Sequence, residues 1–204
     1  MRILVTGSSG WLGRTLVPRL SAAGHQVIGL DPVPSRHTQI VGTVTDRESV
    51  RRAIRDFEAE AIVHAAALHK PNIETHPASD FVTVNMQGTL NLLEEAVAPG
   101  STVDRFIFTS TTSLMISRAM RREVSGHLKK AAWINEEMTP LIPRNIYGVT
   151  KLSAEHLCRL FHELHRLPVI ILRTARFFPE EDDLADVIVS PSPTPRPTSS
   201  CFDA

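Results

Sequence analysis

Arg2-Ile3-Leu4-Val5-Thr6-Gly7-Ser8-Ser9-Gly10-Trp11-Leu12-Gly13 lies almost at the start of the 204-residue chain, an apolar run that breaks into glycines spaced three apart. Arg2 to Thr6 reads as a buried strand. Leu12 to Ala23 reads as a helix ended by Gly24. The glycines therefore occupy a strand-to-helix turn, and each position has a physical reason. Gly7 permits the tight turn out of the strand. Gly10 lets backbone approach a ligand, and Gly13 lets the helix lie close to the sheet. The helix that follows presents free N–H groups and the positive end of its dipole, which suits a pyrophosphate.

Working outward, short apolar runs alternate with amphipathic segments. Strands are expected at Gln26 to Leu30, weakly at Gln39 to Val41, and at Ala61 to His64, Arg105 to Thr109 and Pro168 to Leu172. Helices are expected from an Asp46 cap to Phe57, from Asp80 to Val97 and from Tyr147 to Arg166. Buried strands joined by helices of this length imply an α/β fold. It is a doubly wound parallel sheet of the Rossmann type, with helices on both faces and right-handed crossovers. No internal repeat is visible. The second strand ends at Asp31, about 20 residues past the glycine loop, where a carboxylate would accept hydrogen bonds from an adenosine ribose. That carboxylate favours NAD. NADP is the alternative if Arg36 meets a 2′-phosphate, although a solvated loop arginine is the plainer reading.

Composition narrows the classes. Hydrophobic residues make up 42% and charged residues 22%, and the formal net charge is zero. A bulk electrostatic pull toward nucleic acid or an anionic membrane is not indicated. No apolar run approaches the roughly 20 residues needed to cross a bilayer. The N-terminus lacks the pattern of a signal peptide, so a cytoplasmic protein is expected. Cys158 and Cys201 have neither metal-ligand spacing nor a disulfide framework, and His162-Glu163-Leu164-His165 has the wrong spacing for a zinc motif. No metal is expected.

Tyr147 and Lys151 are four apart, so on a helix they face the same way. A phenol ordinarily ionises at about pH 10, and a neighbouring ammonium and a nicotinamide cation would both favour the phenolate. Tyr147 thereby becomes a candidate acid/base at neutral pH.

Taken together, these residues resemble the extended short-chain dehydrogenase/reductases, specifically the NAD-dependent epimerase/dehydratase family, from Met1 to about Phe178. The resemblance is carried by the Gly7/Gly10/Gly13 loop, Asp31 and His64-Ala65-Ala66-Ala67. It continues through Asn85-Met86-Gln87-Gly88-Thr89, Phe106-Ile107-Phe108-Thr109-Ser110-Thr111 and Pro143-Arg144-Asn145-Ile146-Tyr147 with Lys151. It implies that Thr111 binds the reacting substrate oxygen. Lys151 would bind the nicotinamide ribose and lower the Tyr147 pKa, and Asn85 would lie near the nicotinamide. It also implies cofactor contacts from Trp11, Leu12, Thr43, Val44, Ala65, Ala66, Ala67 and Thr109. The implied activity is oxidoreductase or epimerase chemistry on a sugar nucleotide or related alcohol. The implied partners are that substrate and a second copy, docked through the helices from Asp80 and Tyr147.

Several features depart from the family. Thr43 replaces an aspartate that contacts adenine, and Asp46 reads as a helix cap. Thr112-Ser113 stands where sugar-nucleotide dehydratases carry Asp-Glu, which argues against water elimination. Leu114-Met115-Ile116 replaces Val-Tyr-Gly. The segment Ser117 to Lys130, with Arg118, Arg121 and Arg122, reads as a solvated basic insertion, or alternatively as a phosphate contact. Residues 1–178 are expected to form the dinucleotide domain. Residues 179–204, rich in Pro, Ser and Thr, are expected to be a disordered or truncated tail, leaving the substrate domain largely absent. The alternative function is then an NAD(P)-binding module without turnover.

Overall fold

The computed structural model of the protein describes residues 1–116 and 134–175. Six strands, β1 (Arg2–Thr6), β2 (Gln26–Asp31), β3 (Ile40–Val41), β4 (Ala61–His64), β5 (Arg105–Thr111) and β6 (Val169–Thr174), form one sheet. All neighbours pair in parallel, in the order β3-β2-β1-β4-β5-β6. This is the doubly wound order expected from the sequence. Its direction reverses between β1 and β4, which opens a crevice at the C-terminal ends of those two strands.

Among the described residues five α-helices accompany the sheet: α1 (Trp11–Ala22), α2 (Arg47–Arg55), α3 (Ala78–Phe81), α4 (Gly88–Ala96) and α5 (Ile146–His165). Side chains alternate across each strand, so the sheet feeds two cores. Leu4, Leu30, Ile62 and Phe106 pack on one face against Val50, Leu92 and Cys158 of α2, α4 and α5. Ile3, Val5 and Ala61 pack on the other against Val17 of α1. Strands covered on both faces read as nearly continuous apolar runs, which is why β1 and β4 are conspicuous in the sequence.

Local chemistry sets the ends. Asp46 caps α2, accepting the Glu48 and Ser49 N–H groups at 3.2 and 3.3 Å. Asn145 caps α5, its side-chain oxygen accepting the Gly148 N–H at 2.8 Å. Arg166 then leaves α5 in the left-handed region, at φ 58°.

The expected single helix from Asp80 to Val97 is not one α-helix. A π-helical turn, Val82–Gln87, separates α3 from α4. It carries Asn85 inward, where the amide oxygen accepts the Leu68 N–H at 2.8 Å. The amide nitrogen donates to Leu68 O at 2.9 Å and to Thr150 Oγ1 at 3.0 Å. These bonds offset the irregular turn, and one inserted residue leaves the apolar periodicity nearly unchanged. Two further differences are lengths. β5 runs on to Thr111, and β3 keeps only two residues.

His64 joins three elements beneath the crevice. Its ring is hydrogen-bonded to Thr6 Oγ1 of β1 at 2.7 Å and to Thr89 Oγ1 of α4 at 3.0 Å, between the rings of Phe106 and Phe108. Complete burial, with Lys151 adding a smaller push, holds its pKa well below the ordinary 6.5. An unfolded chain therefore takes up a proton near 6.5 that the native chain refuses. The stability His64 contributes is complete above that value and is lost as pH falls through it. Urea midpoints should drop between pH 7.5 and 5, and in His64→Asn that drop should be smaller. An equal drop in both proteins would exclude His64 as the cause.

Candidate functional site

A cavity of about 620 Å³ runs along the C-terminal ends of the strands. At its centre is the glycine loop. Gly7 sits at φ +73°, and a Cβ there would lie 2.7 Å from the Ala66 nitrogen, so the turn out of β1 and the turn out of β4 meet backbone to backbone. A Cβ at Gly13 would lie 2.2 Å from the Gly7 carbonyl oxygen. Gly13 accordingly does not line the cavity; it lets α1 seat on the loop. Gly10 is the N-cap of α1 and provides no side-chain cap, while Gly7, Gly10, Trp11 and Leu12 all line the cavity. Uncapped N–H groups at a helix start, facing a cavity, are a ready anion site.

One end of the cavity is closed by Asp31, with Thr43 and Val44 beside it. The Asp31 carboxylate is nearly buried. It accepts the Ser9 N–H at 3.0 Å and the Val33 N–H at 2.8 Å, one on each oxygen. Further lone pairs remain for a hydroxyl donor. Arg36 does not line the cavity; its Nε donates to His37 Nε2 at 3.0 Å. Thr43, which takes the place of the family's aspartate, is hydrogen-bonded to Thr45 through the two hydroxyls at 3.1 Å.

Farther along, Ala65, Ala66 and Ala67, which follow β4, line the cavity together with Thr109, Thr111 and Tyr147. Burial pushes the Tyr147 phenol above its ordinary 10.0, with the Thr111 hydroxyl acting the other way. Lys151 shares that helix face but sits beneath the cavity wall. Its ammonium lies 4.0 Å from the centre of the Phe108 ring, and burial lowers its pKa to about 7. The expectation of a phenol already lowered by its lysine is thus corrected for the protein alone: burial raises the phenol, and Lys151 is not among the groups that act on it. Asn85 does not line the cavity either. Its amide is spent on Leu68 and Thr150, which makes it a clamp between the turn after β4 and α5.

Sequence reasoning missed Glu155, one helical turn beyond Lys151. It is fully buried and accepts the Ser110 hydroxyl at 2.5 Å, and it takes a two-pronged contact from Arg173 of β6, with Nη2 to Oε2 at 2.7 Å and Nε to Oε1 at 3.0 Å. These partners hold the carboxyl below its ordinary value against the opposing effect of burial. The four-residue spacing of Tyr147, Lys151 and Glu155 was the signal available. Ser113 and Arg144 also line the cavity. The basic insertion from Ser117, with Arg118, Arg121 and Arg122, lies outside the described residues, as does the tail after Ala175. Among the described residues no helix is long and apolar enough to cross a membrane.

Comparison with known proteins adds to this geometry. The model of the NAD dependent epimerase/dehydratase family matches residues 3–188. The chain is 32% identical over 193 residues to the low-salt glycan biosynthesis protein Agl12 of Haloferax volcanii, covering 87% of this chain and 57% of that protein. It is 27% identical over 205 residues to dTDP-L-rhamnose 4-epimerase of Burkholderia thailandensis, covering 84% and 56% respectively. Among solved structures, the UDP-glucose 4-epimerase of Thermus thermophilus in complex with NAD superposes with a TM-score of 0.70 at 28% identity, covering 85% of this chain and 54% of that one. The chain spans about half the length of the curated relatives it matches.

Two outcomes follow from the buried charges. Lys151 in the unfolded chain holds its proton up to about 10.5, whereas the native chain releases it near 7. Native stability should therefore rise with pH across that window, and Lys151→Met should abolish the rise in urea titrations. Glu155→Ala removes the main partner of the partly buried Arg173 guanidinium and should cost about 1–3 kcal/mol of unfolding free energy. A loss below about 0.5 kcal/mol would show that the pair is solvated in solution.

Proposed function

The chain belongs to the NAD-dependent epimerase/dehydratase family, and from that premise we propose that it binds NAD across the switch-point cavity and oxidises a hydroxyl-bearing carbon of a sugar nucleotide. One observation carries the reading. A single cavity is lined by the uncapped start of α1 and Asp31 on the β2 side of the sheet and by Thr111 and Tyr147 on the β5 side. Those residues fit the cofactor. The α1 N-terminus suits a pyrophosphate, the free lone pairs of Asp31 suit ribose hydroxyls, and the Ala65–Ala67 wall admits a flat ring. Asp31 beside the ribose repels a 2′-phosphate, which favours NAD over NADP.

Bound NAD supplies a hydride acceptor that can return the hydride. The chain's own residues manage the proton and the geometry. Thr111 holds the substrate oxygen. Tyr147 takes the hydroxyl proton as hydride leaves the adjacent carbon, so a ketone forms. The buried Lys151 ammonium lies one helical turn below Tyr147, and while charged it favours the phenolate that this step needs. In an epimerase the ketone is then reduced on its other face and Tyr147 gives the proton back. Thr112-Ser113 offers no acid and base for water loss, which favours epimerisation or simple oxidation over dehydration. Homodimer contact is assigned to the outer face of α5, where Val149, Leu160 and Leu164 are exposed, together with the segment from α3 to α4.

A second reading is cofactor binding without turnover. NADH fluorescence should change on binding under both readings. Only the first expects NAD reduction or epimerisation with some member of a sugar-nucleotide panel, abolished in Tyr147→Phe. Absence of turnover with NADH binding intact would leave the second reading standing. Asp31→Ala should weaken NAD binding about tenfold or more, the worth of lost charge-assisted hydrogen bonds, and should narrow the preference over NADP. Unchanged NAD affinity in that variant would remove Asp31 from the site.

A further inference from the structure

Arg36 follows Asp31 by five residues and is exposed, yet it does not line the cavity, and its Nε donates to His37 Nε2. A cluster of hydroxyls holds its loop in that place. The Ser9 hydroxyl, on the glycine loop, meets Thr38 Oγ1 at 2.7 Å and Ser35 Oγ at 3.0 Å, and it also bonds the Val33 carbonyl oxygen. The buried Ser8 hydroxyl meets Thr38 Oγ1 at 2.7 Å as well, and Ser35 and Thr38 meet each other at 3.1 Å. Strand β2 pins the same loop: a Cβ on Gly29 would overlap the His37 carbonyl oxygen and the Ser8 side chain. The Ser9 and Val33 N–H groups converge on Asp31, one from each loop. The glycine loop and the loop after β2 are therefore fastened together at the carboxylate that closes the cavity. Ser9, Ser35 and Thr38 do not line the cavity themselves; they fix the position of a residue that does.

We propose that the Ser9 hydroxyl is a specificity-determining latch: by tying residues 33–38 to the glycine loop it keeps the Arg36 guanidinium out of the cavity, so that Asp31 meets the adenosine ribose with no cation beside it. This deepens the proposed function and rests on the cavity's binding a dinucleotide. A 2′-phosphate is repelled by Asp31 unless a guanidinium offsets the charge. Arg36 is the single Lys or Arg of residues 33–38. A released loop lets Arg36 reach the ribose, and discrimination between the two dinucleotides then falls although Asp31 is still present. The choice of cofactor thus depends on a side chain that does not line the cavity. Neutral hydroxyls suit such a latch. Each of their bonds is worth about a fivefold change in an equilibrium, so losing the Ser9 hydroxyl opens the loop without unfolding the strand behind it.

The full chain is titrated with NADH and with NADPH, following nicotinamide fluorescence. The parent chain should bind NADH more tightly. Arg36→Ala alone should leave both affinities unchanged, because the latched arginine touches neither cofactor. Ser9→Ala removes the hydroxyl and keeps the N–H on Asp31. It should tighten NADPH binding about fivefold, the worth of one exposed ion pair, with NADH affinity held. Adding Arg36→Ala to Ser9→Ala should cancel that gain, and Ser9→Thr, which keeps a hydroxyl, should bind as the parent does. The latch is also read with no cofactor present. Trypsin cleavage of the native chain at the Arg36–His37 bond, followed by mass spectrometry, should be about fivefold faster in Ser9→Ala. A merely structural Ser9 would weaken both cofactors together and leave their ratio unchanged. That result would overturn the proposal, as would unchanged cleavage at Arg36, or a parent chain that loses NADPH affinity in Arg36→Ala. Should Ser9→Ala fail to fold, Thr38→Val, which removes the hydroxyl shared by Ser8, Ser9 and Ser35, replaces it with the same expectations. Absence of binding by either dinucleotide in every protein would defeat the proposed function and the specificity assignment with it. An unchanged ratio with NADH binding intact would defeat the latch alone.

Discussion

The close approach of three backbones sets the terms for the rest of the molecule. The Gly7 carbonyl occupies the space a side chain at residue 13 would need, and the Ala66 backbone occupies the space a side chain at residue 7 would need. The loop after β1, the start of α1 and the turn after β4 are therefore in contact through main chain alone. That contact brings the N–H groups of α1 to the edge of the sheet and brings the β4 turn within reach of the same ligand. The parallel order places the ends of β2, β5 and β6 along the same edge. Asp31 and Tyr147 can then face a shared cavity although 115 intervening residues separate them in the chain.

Beneath that cavity the protein buries titratable groups, and it handles each one differently. His64 is kept neutral by burial and is satisfied by two threonine hydroxyls. Glu155 is kept ionised by Arg173 and Ser110. Lys151 rests on the Phe108 ring and carries a lowered pKa. Removing any one partner of such groups leaves another exposed to a low-dielectric interior, so the set is costly to alter piecemeal. Lys151 is the member whose burial brings no compensating ion pair of comparable strength. A cost of that kind is expected where the group serves chemistry instead of folding.

Hydroxyl groups dominate the substrate end. Thr111, Thr112 and Ser113 line the wall where related dehydratases present carboxyl groups. Hydroxyls donate and accept hydrogen bonds without carrying charge, so the balance at Tyr147 is set chiefly by burial. A carboxylate in the same place would impose a fixed charge on that balance.

Much of this was legible from the chain itself. The glycine spacing, Asp31 at a strand end and the Tyr147/Lys151 pair depend on short-range geometry: a turn that only glycine permits, the length of a βαβ unit, the pitch of a helix. Apolar runs identified β1, β2, β4 and β5 because strands buried on both faces cannot hide their composition. Contacts between distant segments were not legible. That Gly7 meets the Ala66 backbone, that Asn85 clamps Leu68 to α5 through a π turn, and that Glu155 pairs with Arg173 of β6 are facts of tertiary placement. So is the direction of the Tyr147 pKa, because burial is a property of everything packed around a group, and a linear sequence records only its covalent neighbours. The sequence determined which chemical groups the edge of the sheet would carry; the folded structure decided which of them face the cavity and which support it from below.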